Sequence, residues 1–289
     1  MTARLWLDGA RPRTLPAAVV PVAVGTAVAS SQGDVVWWRA GAALVVALAV
    51  QVGTNYANDY SDGIRGTDDQ RAGPVRLVGS GLKTAGAVKR AALVSFAVGG
   101  LAGLALCAAV TWWLALVGAA CLLAGWFYTG GSRPYGYAAL GEVSVFVFFG
   151  VVATVGSAYV HLEKVTKLAV GASIPVGALA TALLVVNNLR DIPTDTAAGK
   201  RTLAVRLGDP DTRSLYLVLL LAVPAGAALL LAVVRLWALV ALLGLVAAVP
   251  PARAVRRGAR GRDLVPVLRR TGEVQLLYGV LLAAGVALG

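Results

Sequence analysis

One histidine, two cysteines and 14 acidic residues are all that 289 positions contain. His161 has no second histidine to pair with, and Cys107 and Cys121 form no CxxC or other ligand spacing, which leaves no donor set for zinc or copper. The two cysteines read as small apolar packing residues. No Ser/Gly-rich linker or low-complexity tract divides the chain, so it reads as one domain over 1–289. The N-terminal MTARLWLDGARPRT lacks a signal-peptide pattern, and its first apolar run is expected to stay in the mature protein.

Apolar residues fill the space that charge leaves. The chain is 58% hydrophobic and 14% charged, with a mean hydropathy of +0.76. A bilayer core needs about 20 apolar residues per helix. Nine runs qualify, near 15–31, 40–59, 86–109, 111–129, 138–160, 166–188, 213–233, 236–251 and 273–289. The expectation is an all-α polytopic membrane protein, its helices surrounding a central cavity open to the cytoplasmic side. The net charge of +12 is distributed as topology requires rather than as nucleic-acid binding requires. With the N-terminus inside, 22 of the 26 basic residues fall on the inner side. Only Arg39, Lys164, Lys167 and Arg235 fall outside. The basic loops then meet anionic lipid of the cytoplasmic membrane.

Two inner loops share a pattern. Asn55 and Asp59 are four apart, as are Asn58 and Asp62, and Asn187 and Asp191 repeat the spacing before Asp195. On a helix these pairs share a face. Each acidic helix end runs on into Ala-Gly, a basic residue and Val-Arg-Leu-Gly or Val-Arg-Leu-Val-Gly, an internal repeat expected to divide the chain into halves of roughly 15–130 and 138–250 plus a last helix. Pro193 is expected to break or kink the helix between Asp191 and Asp195.

Carboxylates so close repel, and at the edge of hydrocarbon they are costly. Balancing the basic loops, or pairing with Arg65, Arg71, Arg190 and Arg201, is one solution. A hard divalent cation such as Mg²⁺ is a better one, because it takes a few carboxylates and keeps sites for water and phosphate oxygens. Arg133, Lys200 and Arg201 add positive charge at the same side, as a diphosphate clamp would need. Glu142, inside a predicted span, is a functional candidate by its location. A transporter would also suit repeated halves and buried charge, but the acids sit at helix ends on one side rather than at mid-membrane.

The segments NDYSDGIRGTD (58–68) and NNLRDIPTD (187–195) resemble the two Asp-rich motifs of the UbiA superfamily of intramembrane prenyltransferases. Together with RPRTLP (11–16) and YTGGSRPYGYAALGEVSVFVFFG (128–150), they are most similar to the branch that prenylates 1,4-dihydroxy-2-naphthoate in menaquinone biosynthesis. The superfamily's broad pattern puts a third acid at Gly66, and here the next acids are Asp68 and Asp69. The resemblance implies Mg²⁺ held by Asp59, Asp62 and Asp68 and by Asp191 and Asp195, bridging the diphosphate of a polyprenyl donor. It implies that Asn55, Asn58 and Asn188 orient ligands or touch phosphate, and that Arg65, Arg133, Lys200 and Arg201 neutralise its charge. Tyr128, Tyr135 and Phe146 are candidates to face an allylic cation. Arg11 and Arg13 are candidates for the carboxylate of the aromatic acceptor, with interface anchoring as the alternative. Other aromatic acceptors, 4-hydroxybenzoate or homogentisate, fit the same motifs.

Overall fold

Long apolar stretches joined by short polar turns leave the backbone one economical solution, antiparallel helices that satisfy their own hydrogen bonds. The computed structural model describes residues 2–66 and 76–289 and is helical nearly throughout. An N-terminal helix α1 (Thr2–Ala10) precedes α2 (Pro16–Gln32), α3 (Trp37–Ile64), α4 (Ala85–Ala109) and α5 (Leu114–Phe127). Then come α6 (Gly141–Leu162), α7 (Lys167–Ala197), α8 (Leu203–Ala232), α9 (Leu236–Arg256) and α10 (Gly261–Leu288). Threonine side chains cap the first turns of α4, α7 and α8, where Thr84, Thr166 and Thr202 accept from the backbone N–H three residues on.

Among the described residues seven helices are long and apolar enough to span a membrane, α3, α4 and α6 to α10, and an eighth span arises if α1 and α2 count as one path bent by 53°. The expected run near 111–129 is the 14-residue helix α5, shorter than the others. Helices α3 and α7 extend past the predicted spans, to Ile64 and Ala197, and so carry both Asp-rich motifs on helical backbone. The break expected at Pro193 is absent: α7 stays helical through Pro175 and Pro193. Proline removes one backbone donor, and the turn survives where its neighbours keep other bonds, here Thr194 and Thr196 hydroxyls donating to the Asp191 and Ile192 carbonyls.

Helix α7 is the axis of the bundle. In its most apolar stretch 78% of residues are buried, against 28–50% in the other six. Around it α2, α6, α8, α9 and α10 form the largest core, from Val20 and Val28 through Val176 and Leu179 to Leu220, Tyr278 and Leu282. Helices α3 and α4 pack side by side, with α5 lying against both. Helices in lipid gain by packing closely, so small residues mark their crossings. At the crossing of α6 and α7, a Cβ on Gly150 would lie 2.4 Å from the Gly177 Cα. Helix α6 also carries a π-helical stretch, Phe146–Val152, which shifts the register of the residues facing inward.

Gly150→Val should therefore force α6 and α7 apart at a cost of about 1–3 kcal/mol. The expected result is a lower thermal unfolding midpoint in detergent, with Gly226→Ala, where nothing lies within 4 Å of the added carbon, leaving it unchanged.

Candidate active site

The cytoplasmic ends expected for α3 and α7 converge at one end of the bundle, where Asp59, Asp62 and Asp191 are buried and Asp195 is partly buried. Lys200, just past the C-terminus of α7, sets its ammonium 3.4 Å from Asp62 and 3.9 Å from Asp195. Arg76 lies 3.8 Å from the other Asp62 oxygen. The Tyr137 hydroxyl donates to Asp62, and the Lys200 ammonium sits over the Tyr137 ring, 4.5 Å from its centre. Backbone bonds fix this arrangement: Lys200 N–H to the Asp195 carbonyl at 2.8 Å, and Arg201 N–H to the Tyr137 carbonyl at 3.0 Å. Among the described residues the two motifs thus meet at the Lys200 ammonium.

The other two aspartates are engaged beside this centre. Asp59 accepts the backbone N–H groups of Leu77 (2.8 Å) and Val78 (3.0 Å), pinning the return of the loop after α3. Asp191 is gripped by its neighbour Arg190 through two bonds of 2.7 Å, and Arg190 also reaches Asn187 at 2.9 Å. Among the described residues no three His, Cys, Asp or Glu side chains converge as a ready-made metal cage. Mg²⁺ does not require one, since one or two carboxylates with substrate phosphates and water are its usual shell. Asp62 and Asp195, already converging on an ammonium, have the oxygen-only chemistry for that ion.

Membrane-ward of this charged cap lies a chamber of about 560 Å³. Asn55, Asn58, Asn187 and Tyr128 line its polar end, and Val46, Leu106, Phe148, Phe149 and Val160 are among its apolar walls. Tyr128 and Tyr135 meet edge to face, 5.5 Å apart. Burial raises the Tyr135 phenol above its ordinary range, against the opposing hydrogen bond with Ser144.

The remaining expected residues fall into distinct places. Asn58 lines the chamber and accepts from the Thr129 hydroxyl at 2.7 Å. Asn55, expected near phosphate, instead donates to the Ala10 carbonyl (2.9 Å) and the Thr14 hydroxyl (3.1 Å), tying the N-terminal elbow to α3. Asn188 is buried and donates to Glu142 at 2.9 Å, which supplies that intramembrane acid with a partner. Arg65 donates to the carbonyls of Thr129 and Gly131 rather than pointing free, with its guanidinium 5.7 Å from the Tyr137 ring centre. Arg13, Arg133 and Arg201 are exposed, and Arg11 lines the chamber. Phe146 lies outside the chamber, packed on Gly177, because the π-helical stretch turns Phe148 and Phe149 inward in its place. Asp68 falls outside the described residues. The sequence reading missed Tyr137, which carries no charge and no motif signal beyond its place in a Tyr-rich loop. It also missed Gln51 and Thr14, which complete the polar end with a bond of 3.1 Å.

A helical membrane bundle with carboxylates from two helices joined beside an apolar chamber defines a class of intramembrane enzyme handling a charged head on a greasy tail. Residues 18–266 match the UbiA prenyltransferase family, and the chain belongs to it. It is 51% identical over 284 residues to the 1,4-dihydroxy-2-naphthoate octaprenyltransferase of Mycobacterium tuberculosis, covering 98% of this chain and 97% of that one. Identity to the Escherichia coli protein of the same name is 38%, covering 98% and 95%. The fold is similar to that of a UbiA homolog from Archaeoglobus fulgidus bound to GPP and Mg²⁺, with a TM-score of 0.70, 14% identity, and coverage of 98% and 99%.

Arg190 supplies the two shortest hydrogen bonds given for Asp191, which is only 3% exposed. Arg190→Leu is expected to destabilise the solubilised protein by about 3–5 kcal/mol. Arg190→Leu with Asp191→Leu should recover much of that loss in the same thermal unfolding measurement.

Proposed function

We propose that this chain transfers a polyprenyl group from polyprenyl diphosphate to 1,4-dihydroxy-2-naphthoate, releasing diphosphate and CO₂ and giving a demethylmenaquinol. The observation that carries this reading is the shared cation position between Asp62 and Asp195, directly above an apolar chamber. Relatives named for the naphthoate reaction support that acceptor over 4-hydroxybenzoate or homogentisate. The two halves, 15–130 and 138–250, each give one carboxylate to the pair.

Asp62 and Asp195 would hold Mg²⁺, with Asp59 and Asp191 next to them on the same helices. When bound, the ion offsets charge building on the departing diphosphate. The chain's own cations do the rest: Lys200 and Arg76 lie within 4 Å of Asp62 and are placed to meet phosphate oxygens. Ring carbon attacks the first prenyl carbon, the C–O bonding pair leaves with diphosphate, and the ring carboxylate departs as CO₂. Apolar walls such as Phe148 and Phe149 keep water from the allylic centre, and the neutral faces of Tyr128 and Tyr135 stabilise its positive charge. The tail stays in the chamber and lipid, where each CH₂ kept from water is worth about 0.8 kcal/mol. The excess of basic residues in the loops on this side supports a cytoplasmic orientation for this end of the bundle in a bacterial membrane, with the N-terminus inside.

Purified protein given geranylgeranyl diphosphate, Mg²⁺ and labelled dihydroxynaphthoate should form prenylated quinol with one CO₂ per product. Asp62→Asn and Asp195→Asn should each lower the rate by at least about 100-fold while the protein remains folded. Full turnover after chelation of divalent ions, or prenylation of hydroxybenzoate in preference to the naphthoate, would contradict the reading.

A further inference from the structure

Among the described residues that line the chamber, Arg11 is the one with a charged side chain. Its backbone stands in the left-handed region, at φ 53° and ψ 69°, a conformation that side-chain-bearing residues adopt only where their surroundings hold them. The surroundings do so here. Thr14 donates to the Arg11 carbonyl through both backbone (2.9 Å) and hydroxyl (2.9 Å). Asn55 clamps Ala10 on one side of the elbow and Thr14 on the other. The preceding helix is fastened in turn, by the Tyr56 hydroxyl on the Trp6 carbonyl (2.7 Å) and by the Trp6 ring set edge-on to Tyr56. One guanidinium nitrogen, Nη2, is buried. A helix running straight from α1 into α2 would need no left-handed residue. The path then bends by 53° between Ala3–Thr14 and Pro16–Gln32, just past Arg11, and Arg11 lies among the residues that line the chamber.

We infer that Arg11 is the specificity determinant for the acceptor, binding the carboxylate of an aromatic ring acid while Gln51 and Asn55 frame the same end of the chamber. A guanidinium presents paired donors that match a carboxylate, and in an apolar enclosure it selects the ring acid over the neutral ring. Asn55 is one helical turn from Asp59, about 6 Å along α3. The ring is thereby held within reach of the prenyl carbon whose diphosphate lies at the Asp62 and Asp195 end. Asn55 serves as a positioning residue for the elbow. Arg13, exposed two residues later, has no part in this.

The inference rests on the acceptor reading above, and the tests separate the two. Arg11→Gly relieves the left-handed strain, so its unfolding temperature should equal or exceed that of the wild type. Its KM for dihydroxynaphthoate should rise at least about 10-fold, with the KM for geranylgeranyl diphosphate within about twofold of normal. Arg11→Lys should fall between the two. In wild-type protein 1-hydroxy-2-naphthoate should compete with the acceptor at least about 10-fold better than 1-naphthol, and Arg11→Gly should erase that preference. An unaltered acceptor KM in Arg11→Gly, a parallel rise in both KM values, or equal competition by the two naphthols in the wild type would overturn the assignment. A wild type that is inert towards the naphthoate would instead defeat the functional reading.

Discussion

A single ammonium group between two carboxylates is the constraint from which the rest of the bundle follows. Asp62 ends one helix and Asp195 another, and each faces Lys200. Without a cation between them, the buried Asp62 and the partly buried Asp195 would repel in surroundings that screen charge less than water does. The pairing therefore demands that α3 and α7 end at the same level and that α7 remain helical through Pro193. Tyr137 completes the enclosure from the loop before α6, donating to Asp62 and covering Lys200 with its ring. Arg190 on Asp191 and the Leu77 and Val78 amides on Asp59 hold the flanking carboxylates out of that repulsion.

The same end of the molecule joins two solvents. Above the chamber the groups are charged and hydrogen-bonded in pairs; below it the walls are apolar down to Val160 and Leu106. At the opposite end Arg39 draws three helix termini together, reaching the carbonyls of Val160 (2.8 Å) and Ala109 (3.0 Å) and the Glu163 carboxylate (3.1 Å). The chamber is thus bounded by a polar cap at each end. Its shape suits an amphiphile whose charge sits at one tip, which is the chemistry of the family to which the chain belongs.

The apolar runs and the two Asn-Asp motifs were legible because each leaves a periodic or compositional mark. A helix that must cross lipid announces itself in 20 residues, and acids spaced by four announce a shared helix face. Side-chain partners across the bundle leave no such mark. Asn55 and Asn58 both line the chamber, yet one holds the N-terminal elbow and the other accepts from the Thr129 hydroxyl. Pro193 reads as a break, yet the helix continues past it, its turn held by the Thr194 and Thr196 hydroxyls on the Asp191 and Ile192 carbonyls. Phe146 and Phe148 differ only in position, and a π-helical turn decides which of them faces the chamber. Tyr137 became visible only when three loops met.

The central claim is that Asp62 and Asp195 together receive one divalent ion beside a diphosphate. Electron paramagnetic resonance of Mn²⁺, added to purified protein with a non-cleavable prenyl thiolodiphosphate, tests it directly. Protein-bound Mn²⁺ should appear in the wild type in the presence of the analogue, and should be lost in Asp62→Asn and in Asp195→Asn alike. An undiminished bound signal in either variant would contradict it.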